Sequence, residues 1–121
     1  MSYKLVTQTY SSSKNPKKAI IGIHGWTGDE YVFEPIVKLL KIENAKWYLP
    51  RAPYKAESKN GNSWFAGNDV DGWEFDKTFD GMNNLINEIQ NSGFSNSNIF
   101  LIGFSQGACL AIDFALRLPF P

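Results

Sequence analysis

The feature that most constrains the fold is the pattern Gly-Phe-Ser-Gln-Gly at residues 103–107. An uninterrupted apolar run, residues 99–102, precedes it, and the residues from Ala108 onward favour a helix. The pattern therefore predicts a sharp turn between a buried strand and a helix, with Ser105 at the bend. Glycine at Gly103 and Gly107 leaves room for the strained backbone that such a turn requires.

The same turn brings backbone N–H groups close to the serine. The first N–H groups of a helix have no intrahelical acceptor, so the N–H of Gln106 is a predicted donor to an oxyanion on an attacked carbonyl. The competing interpretation is a turn in which the Ser105 side chain caps the following helix. The flanking strand and helix favour the catalytic interpretation.

A second glycine-rich segment, His24-Gly25-Trp26-Thr27-Gly28, directly follows the apolar residues 19–23. This order predicts a strand, a loop and a helix that is N-capped by Asp29. The spacing of Gly22, Gly25 and Gly28 also leaves open a nucleotide-binding loop, although it departs from Gly-x-Gly-x-x-Gly. The apolar face of the predicted helix consists of Val32, Phe33, Ile36, Val37, Leu39 and Leu40.

The rest of the chain continues the alternation of strands and helices. Residues 4–10 and 45–49 are predicted strands, and residues 76–91 are a predicted amphipathic helix. Wholly apolar strands that alternate with helices indicate an α/β fold, a mostly parallel sheet with helices on both faces. Reactive loops gather at the carboxyl ends of such strands, so the loops after residues 23 and 102 are expected to meet.

Residues 54–75 form the longest stretch without a periodic pattern, and we predict an irregular loop there. It carries the aromatic residues Trp64, Phe65 and Trp73. One interpretation makes them a wall that faces the substrate. The alternative is that they only pin the loop to the core.

Composition excludes several classes of function. Twelve basic and twelve acidic residues cancel, so no nucleic-acid partner is expected. Cys109 is the only cysteine, which excludes an internal disulfide, and its apolar neighbours indicate a small buried side chain on a helix. No signal peptide and no transmembrane segment are recognisable, so a cytoplasmic protein is expected. We expect no cofactor and no metal, since residues 69–72 match a calcium loop poorly.

Four motifs lie in order along the chain: His24-Gly25-Trp26-x-Gly28-Asp29, Leu49-Pro50-Arg51-Ala52-Pro53, Ser63-Trp64-Phe65 and Gly103-Phe104-Ser105-Gln106-Gly107-Ala108. Together they resemble the phospholipase/carboxylesterase branch of the α/β-hydrolases, which includes acyl-protein thioesterases. The resemblance covers residues 19–118 and implies a small-molecule ester or acyl-thioester substrate. It implies that Ser105 is the nucleophile and that the N–H groups of Trp26 and Gln106 form the oxyanion hole, and it gives His24 a part in shaping the oxyanion loop.

The chain departs from this family after the serine. The family's catalytic Asp and His follow the nucleophile in that order, but only 16 residues follow Ser105 and none is a histidine. Asp113 lies in the same predicted helix and is not assigned to the triad. His24, the only histidine, is expected to shape the oxyanion loop rather than to form a dyad with Ser105.

Residues 1–121 are therefore expected to be the N-terminal portion of one hydrolase domain, inactive alone. Such a portion would leave the edge of the strand at residues 99–102 exposed, so a complementary C-terminal segment or a second copy is the expected partner. The alternative function is a non-catalytic fragment or acyl-binding module.

Overall fold

The computed structural model describes residues 3–57 and 60–120. A short 3₁₀ turn, Asn96–Asn98, lies just before the last strand. In chain order the strands and helices are β1 (Thr7–Ser11), β2 (Lys18–Ile23), α1 (Glu34–Leu40), β3 (Ala45–Pro50), β4 (Tyr54–Lys55), β5 (Asn62–Ser63), β6 (Ala66–Asn68), β7 (Gly72–Glu74), α2 (Asp76–Asn91), β8 (Ile99–Gly103) and α3 (Gln106–Arg117).

The main sheet has four strands in the order β1-β3-β2-β8. β2 is parallel to both of its neighbours, β3 and β8. β1 is antiparallel to β3, with Thr7 opposite Pro50. The prediction of a mostly parallel α/β sheet is confirmed, and the carboxyl ends of β2 and β8 lie side by side at Ile23 and Gly103.

An apolar cluster lies on each face of the sheet because neighbouring residues of β2 point in opposite directions. Ile21 and Ile23 belong to the larger core cluster, which includes Met82 and Ile86 of α2 and Phe114 of α3. The smaller cluster, on the other face, consists of Ile20, Ala45, Trp47 and Leu49 with Phe33 from the segment before α1.

The first helix differs from its prediction. Asp29 caps a turn before the helix, where its Oδ1 accepts hydrogen bonds from the N–H groups of Tyr31 and Val32 at 2.8 and 3.2 Å. α1 begins only at Glu34, and none of its residues is buried. Phe33 is buried, but most of the predicted apolar face is exposed to solvent, namely Val32, Ile36, Leu39 and Leu40.

The sequence predicts an irregular loop at residues 54–75, but the described part of this segment contains two small antiparallel strand pairs. β4 pairs with β5, and β6 pairs with β7. Gly67 and Gly72 have φ angles of +107° and +92°, which side chains rarely adopt, so glycine permits the tight second hairpin. A Cβ at Gly67 would also collide with the carbonyl oxygen of Gly72.

One border of the sheet remains open within the described residues. β8 pairs only with β2 there, and Phe100 of β8 is half-exposed. Phe104, directly after β8, and Leu116 of α3 are 70% and 81% exposed. Cys109 is also exposed, contrary to the prediction of a buried side chain.

Among the helices of residues 3–57 and 60–120, none has the length and apolar character needed to cross a bilayer.

Candidate active site

Ser105 lies on the turn between β8 and α3 with φ 56° and ψ −117°. This backbone conformation is uncommon for any residue with a side chain. The serine is exposed, and its side chain makes no capping hydrogen bond to α3. The geometry therefore argues against the capping interpretation and matches a strained turn that presents a hydroxyl to solvent.

The turn fits against β2 only because both flanking residues lack side chains. A Cβ at Gly103 would collide with the carbonyl oxygen of Gly107, and a Cβ at Gly107 would collide with the carbonyl oxygen of Ile23. The N–H of Phe104 donates to the same Ile23 oxygen at 3.1 Å. A Cβ at Gly25 would lie 3.2 Å from the Phe104 oxygen, so the loop after β2 also approaches the turn closely.

His24 is held by backbone groups on both sides of its ring. The N–H of Ala52 donates to Nε2 at 3.0 Å, so Nε2 carries no proton. Nδ1 therefore carries the hydrogen and donates it to the carbonyl oxygen of Gly25 at 2.7 Å. Neither nitrogen is available to deprotonate Ser105, which favours the loop-shaping role over a dyad.

The charge state of His24 follows from the same surroundings. The imidazole is buried, and burial lowers its pKa below the ordinary value, although the hydrogen bond to Gly25 opposes the shift. The ring is therefore neutral near pH 7, as its hydrogen bond from Ala52 requires.

Trp64 does not line a substrate wall, which corrects that part of the prediction. Its side chain is 0% exposed, and its ring packs against His24 with 5.0 Å between centroids. The indole N–H donates to the carbonyl oxygen of His24 at 2.8 Å. Trp64 therefore pins its loop beneath the segment that follows β2.

Phe65 and Trp73 do border an open cavity of about 350 Å³. Trp26 and Gln106, the two predicted oxyanion donors, line the same cavity. Trp73 is 53% exposed, and its indole N–H donates to Asp69 Oδ1 at 2.9 Å, which fixes the ring orientation. The structure thus brings together loops that are about 80 residues apart in sequence around one space.

A second, more apolar cavity of about 530 Å³ lies beside the same loop. Gly25 and Trp26 border it on one side and Phe104 on another. Its lining also includes the apolar side chains of Val32, Phe33, Ile36 and Ile102. The loop after β2 is therefore flanked by two cavities.

Several supporting contacts were not foreseen from the sequence. The side chain of Gln106 bonds both the backbone of Trp64 and the hydroxyl of Ser63. Buried Thr78 donates to the carbonyl oxygen of Trp64 at 2.6 Å. The buried carboxylate of Glu30, a charged residue at the end of the glycine-rich loop, lies 3.6 Å from Arg51. For the Glu30–Arg51 pair, the only signal in the sequence was a charged residue next to the glycine-rich loop.

The structure gives no support to a nucleotide-binding loop or a metal site. Gly22 lies inside β2, where a Cβ would come within 2.7 Å of Leu49, so packing rather than a phosphate explains this glycine. In residues 3–57 and 60–120, no three His, Cys, Asp or Glu side chains are grouped as metal ligands.

The chain resembles known hydrolases over most of its length. The profile of the phospholipase/carboxylesterase family matches residues 6–121. An uncharacterized hydrolase of Schizosaccharomyces pombe is 30% identical over 112 residues, which represent 82% of this chain and 46% of the relative. The structure of esterase PE8 matches 98% of this chain and 60% of its own length, with a TM-score of 0.78 and 21% identity. A phospholipase/carboxylesterase from Dyadobacter fermentans DSM 18053 matches 97% of this chain and 56% of its own length, with a TM-score of 0.72 and 24% identity.

The chain spans about half the length of these relatives, from 46% to 60%. At this level of identity the solved structures show the fold, which is that of the α/β-hydrolase esterases. The family profile covers nearly the whole chain and confirms the resemblance predicted from the four motifs. The chain belongs to the phospholipase/carboxylesterase family.

Proposed function

We propose that this chain provides the nucleophile and the oxyanion hole of a serine hydrolase that cleaves carboxylic esters or thioesters. Ser105 Oγ attacks the carbonyl carbon, the alcohol or thiol leaves with a proton, and water then releases the acid from the acyl-serine. The observation that carries the proposal is the exposed serine with φ 56° at a strand-to-helix turn. Such a turn is the family's means of presenting a nucleophile.

The proposed oxyanion hole consists of the N–H groups of Trp26 and Gln106. Gln106 is the first residue of α3, so its N–H has no intrahelical acceptor. Trp26 borders the same cavity from the loop after β2. Two donors from separate loops would stabilise the negative charge that develops on the attacked carbonyl oxygen.

In this proposal the catalytic base is neither His24 nor Asp113. Both nitrogens of His24 are engaged by the backbone, and Asp113 forms an ion pair with Arg117 at 3.3 Å. We propose that the Asp and His of the triad come from a C-terminal portion of the same domain or from a second copy. That partner would also cover the open edge of β8, and the chain alone would be inactive.

Because both nitrogens of His24 are engaged by the backbone, one alternative function is binding without catalysis. Without a base, the serine hydroxyl is a poor nucleophile, and the two cavities could still bind an acyl group. The chain would then be an acyl-binding module that does not turn over its ligand.

A fluorophosphonate probe separates these two functions. In labelling, a bond forms between Ser105 Oγ and phosphorus, the P–F bond breaks, and fluoride and the hydroxyl proton leave. Labelling would be followed by mass spectrometry in the 121-residue chain and in the longest in-frame product of its gene. Ser105→Ala serves as the test variant, and Ser95→Ala, at an exposed serine, serves as its control.

The proposal predicts that the longer product is labelled only at Ser105 and that the short chain reacts at least about a hundredfold more slowly. The Ser95→Ala variant should be labelled like the parent protein. If Ser105 is labelled in neither form, the acyl-binding module is the better account. Equal labelling of both forms would show that the base lies within the short chain.

A further inference from the structure

The segment from Asn62 to Phe65 lies between the two halves of the proposed oxyanion hole and is bonded to both. On one side it contacts the loop that carries Trp26, and on the other it contacts the side chain of Gln106. Neither set of contacts follows from the family pattern, which concerns the backbone N–H of Gln106 and not its carboxamide.

Three hydrogen bonds join this segment to the loop after β2. The N–H of Thr27 donates to the carbonyl oxygen of Asn62 at 2.9 Å, and the N–H of Asn62 donates to that of Gly28 at 3.0 Å. The indole N–H of Trp64 donates to the carbonyl oxygen of His24 at 2.8 Å. These bonds lie before and after Trp26 in sequence, so they restrict the peptide plane that bears its N–H.

Two further hydrogen bonds join the segment to the turn at Ser105. Oε1 of Gln106 accepts from the N–H of Trp64 at 3.0 Å, and Nε2 donates to Ser63 Oγ at 3.1 Å. A backbone N–H can only donate, so the orientation of the carboxamide is fixed. Ser63 is buried and also donates to the carbonyl oxygen of Phe65 at 2.6 Å, which holds its hydroxyl in place.

We propose that the side chain of Gln106 is a positioning residue that sets the separation of the two oxyanion donors through Ser63 and Trp64. This inference rests on the proposed function. Pairing of β2 with β8 fixes the two loops at their origins, and the contacts of Gln106 add a second point of attachment farther out. Oxyanion hydrogen bonds depend steeply on distance, and displacement by about 1 Å can lower a rate a hundredfold.

Hydrogen exchange of single amides tests the coupling in the 121-residue chain without any need for activity. In Gln106→Ala, the N–H of Trp64 loses its acceptor and should exchange faster. If the side chain also holds the loop, the Thr27 and Asn62 N–H groups should exchange at least about tenfold faster as well. The exchange rate of the Ile21 N–H, in the central strand, reports global stability and should not rise in parallel with theirs.

Matched variants keep the test informative. Gln106→Glu retains an acceptor for the Trp64 N–H and should restore much of its protection. Ser63→Ala removes only the partner of Gln106 Nε2, so it should accelerate exchange of the same amides, but less than Gln106→Ala does. It provides the test if Gln106→Ala folds poorly. Gln90→Ala deletes a surface glutamine that bonds Asn96 and should leave all four amides unchanged.

In the longer gene product, Gln106→Ala should lower the maximal rate of phosphonylation of Ser105 roughly 10- to 100-fold, with little change in the probe concentration at half-saturation. Faster exchange at Trp64 alone, with Thr27 and Asn62 unchanged, would overturn the inference. Failure of the parent protein to label, with the exchange coupling present, would instead contradict the proposed function.

Discussion

The imidazole of His24 accepts a hydrogen bond from the backbone N–H of Ala52 at 3.0 Å. This bond connects the first residue after β2 to the segment after β3, 28 residues later in the chain. It requires an unprotonated Nε2, so the only histidine of the sequence stabilises the loop next to Ser105.

The stability of the protein should therefore fall between pH 7 and pH 5.5. Burial lowers the pKa of folded His24, so below the ordinary value of about 6.5 the unfolded chain binds a proton that the folded chain does not. The stabilisation is present above that value and is lost as the pH falls towards the folded pKa. Urea unfolding should show a slope of up to about 1.4 kcal/mol per pH unit. The slope should be absent in His24→Gln; a flat profile in the parent protein would contradict the assignment.

The two tryptophans of the 54–75 segment should respond very differently to the same substitution. Trp64→Phe removes the donor to the buried carbonyl oxygen of His24 and leaves a gap, so it should destabilise by about 2 to 4 kcal/mol. Trp73→Phe, at a half-exposed site, should change stability by about 0.5 kcal/mol or less. Chemical denaturation of both variants measures the difference, and equal effects would mean that Trp64 is not the buried anchor.

Gly107→Ala should destabilise the protein even though alanine favours helices by about 1 kcal/mol. Its Cβ would collide with the backbone oxygen of Ile23, which cannot move away without disturbing β2. We expect a loss of more than about 2 kcal/mol in thermal unfolding. Gly93→Ala is the control: nothing lies within 4 Å of its Cβ, so only backbone strain of about 1 kcal/mol is expected. A stabilised Gly107→Ala variant would show that the turn lies farther from β2.

The sequence predicted those elements whose pattern is local. The helix Asp76–Asn91 matches its predicted bounds because apolar residues recur at helical spacing along its whole length. The turn at Ser105 was equally predictable, since an apolar strand and two glycines surround it. Both are set by neighbours in the chain.

The rest depends on contacts between distant residues. Trp64 and Trp73 are equivalent in pattern, and the contacts of Trp64 with His24, a hydrogen bond and ring packing, are what distinguish the buried tryptophan from the exposed one. The hairpins near Gly67 contain few strand-forming residues, so propensity did not reveal them. The exposed face of α1 carries a pattern that would normally be buried, and periodicity does not say which surface covers it.

Two sets of exposed apolar side chains, Phe100 and Phe104 at β8 and the surface of α3 that carries Ile112 and Leu116, should make the 121-residue chain associate. Light scattering should find species larger than the 13.6 kDa monomer. Ile112→Lys with Leu116→Lys should shift the chain towards monomer, because both side chains are exposed and charges resist association. A parent chain that is a stable monomer and unfolds in one cooperative step would contradict the proposal that a partner covers this surface.

A crystal structure of the phosphonylated protein, prepared from the longest in-frame gene product, tests the central claim most directly. The account predicts phosphorus bonded to Ser105 Oγ, positive φ at Ser105, and one phosphonyl oxygen about 2.7 to 3.1 Å from the nitrogens of both Trp26 and Gln106. An oxygen that contacts only solvent, or a Ser105 with ordinary helical or strand angles, would contradict it.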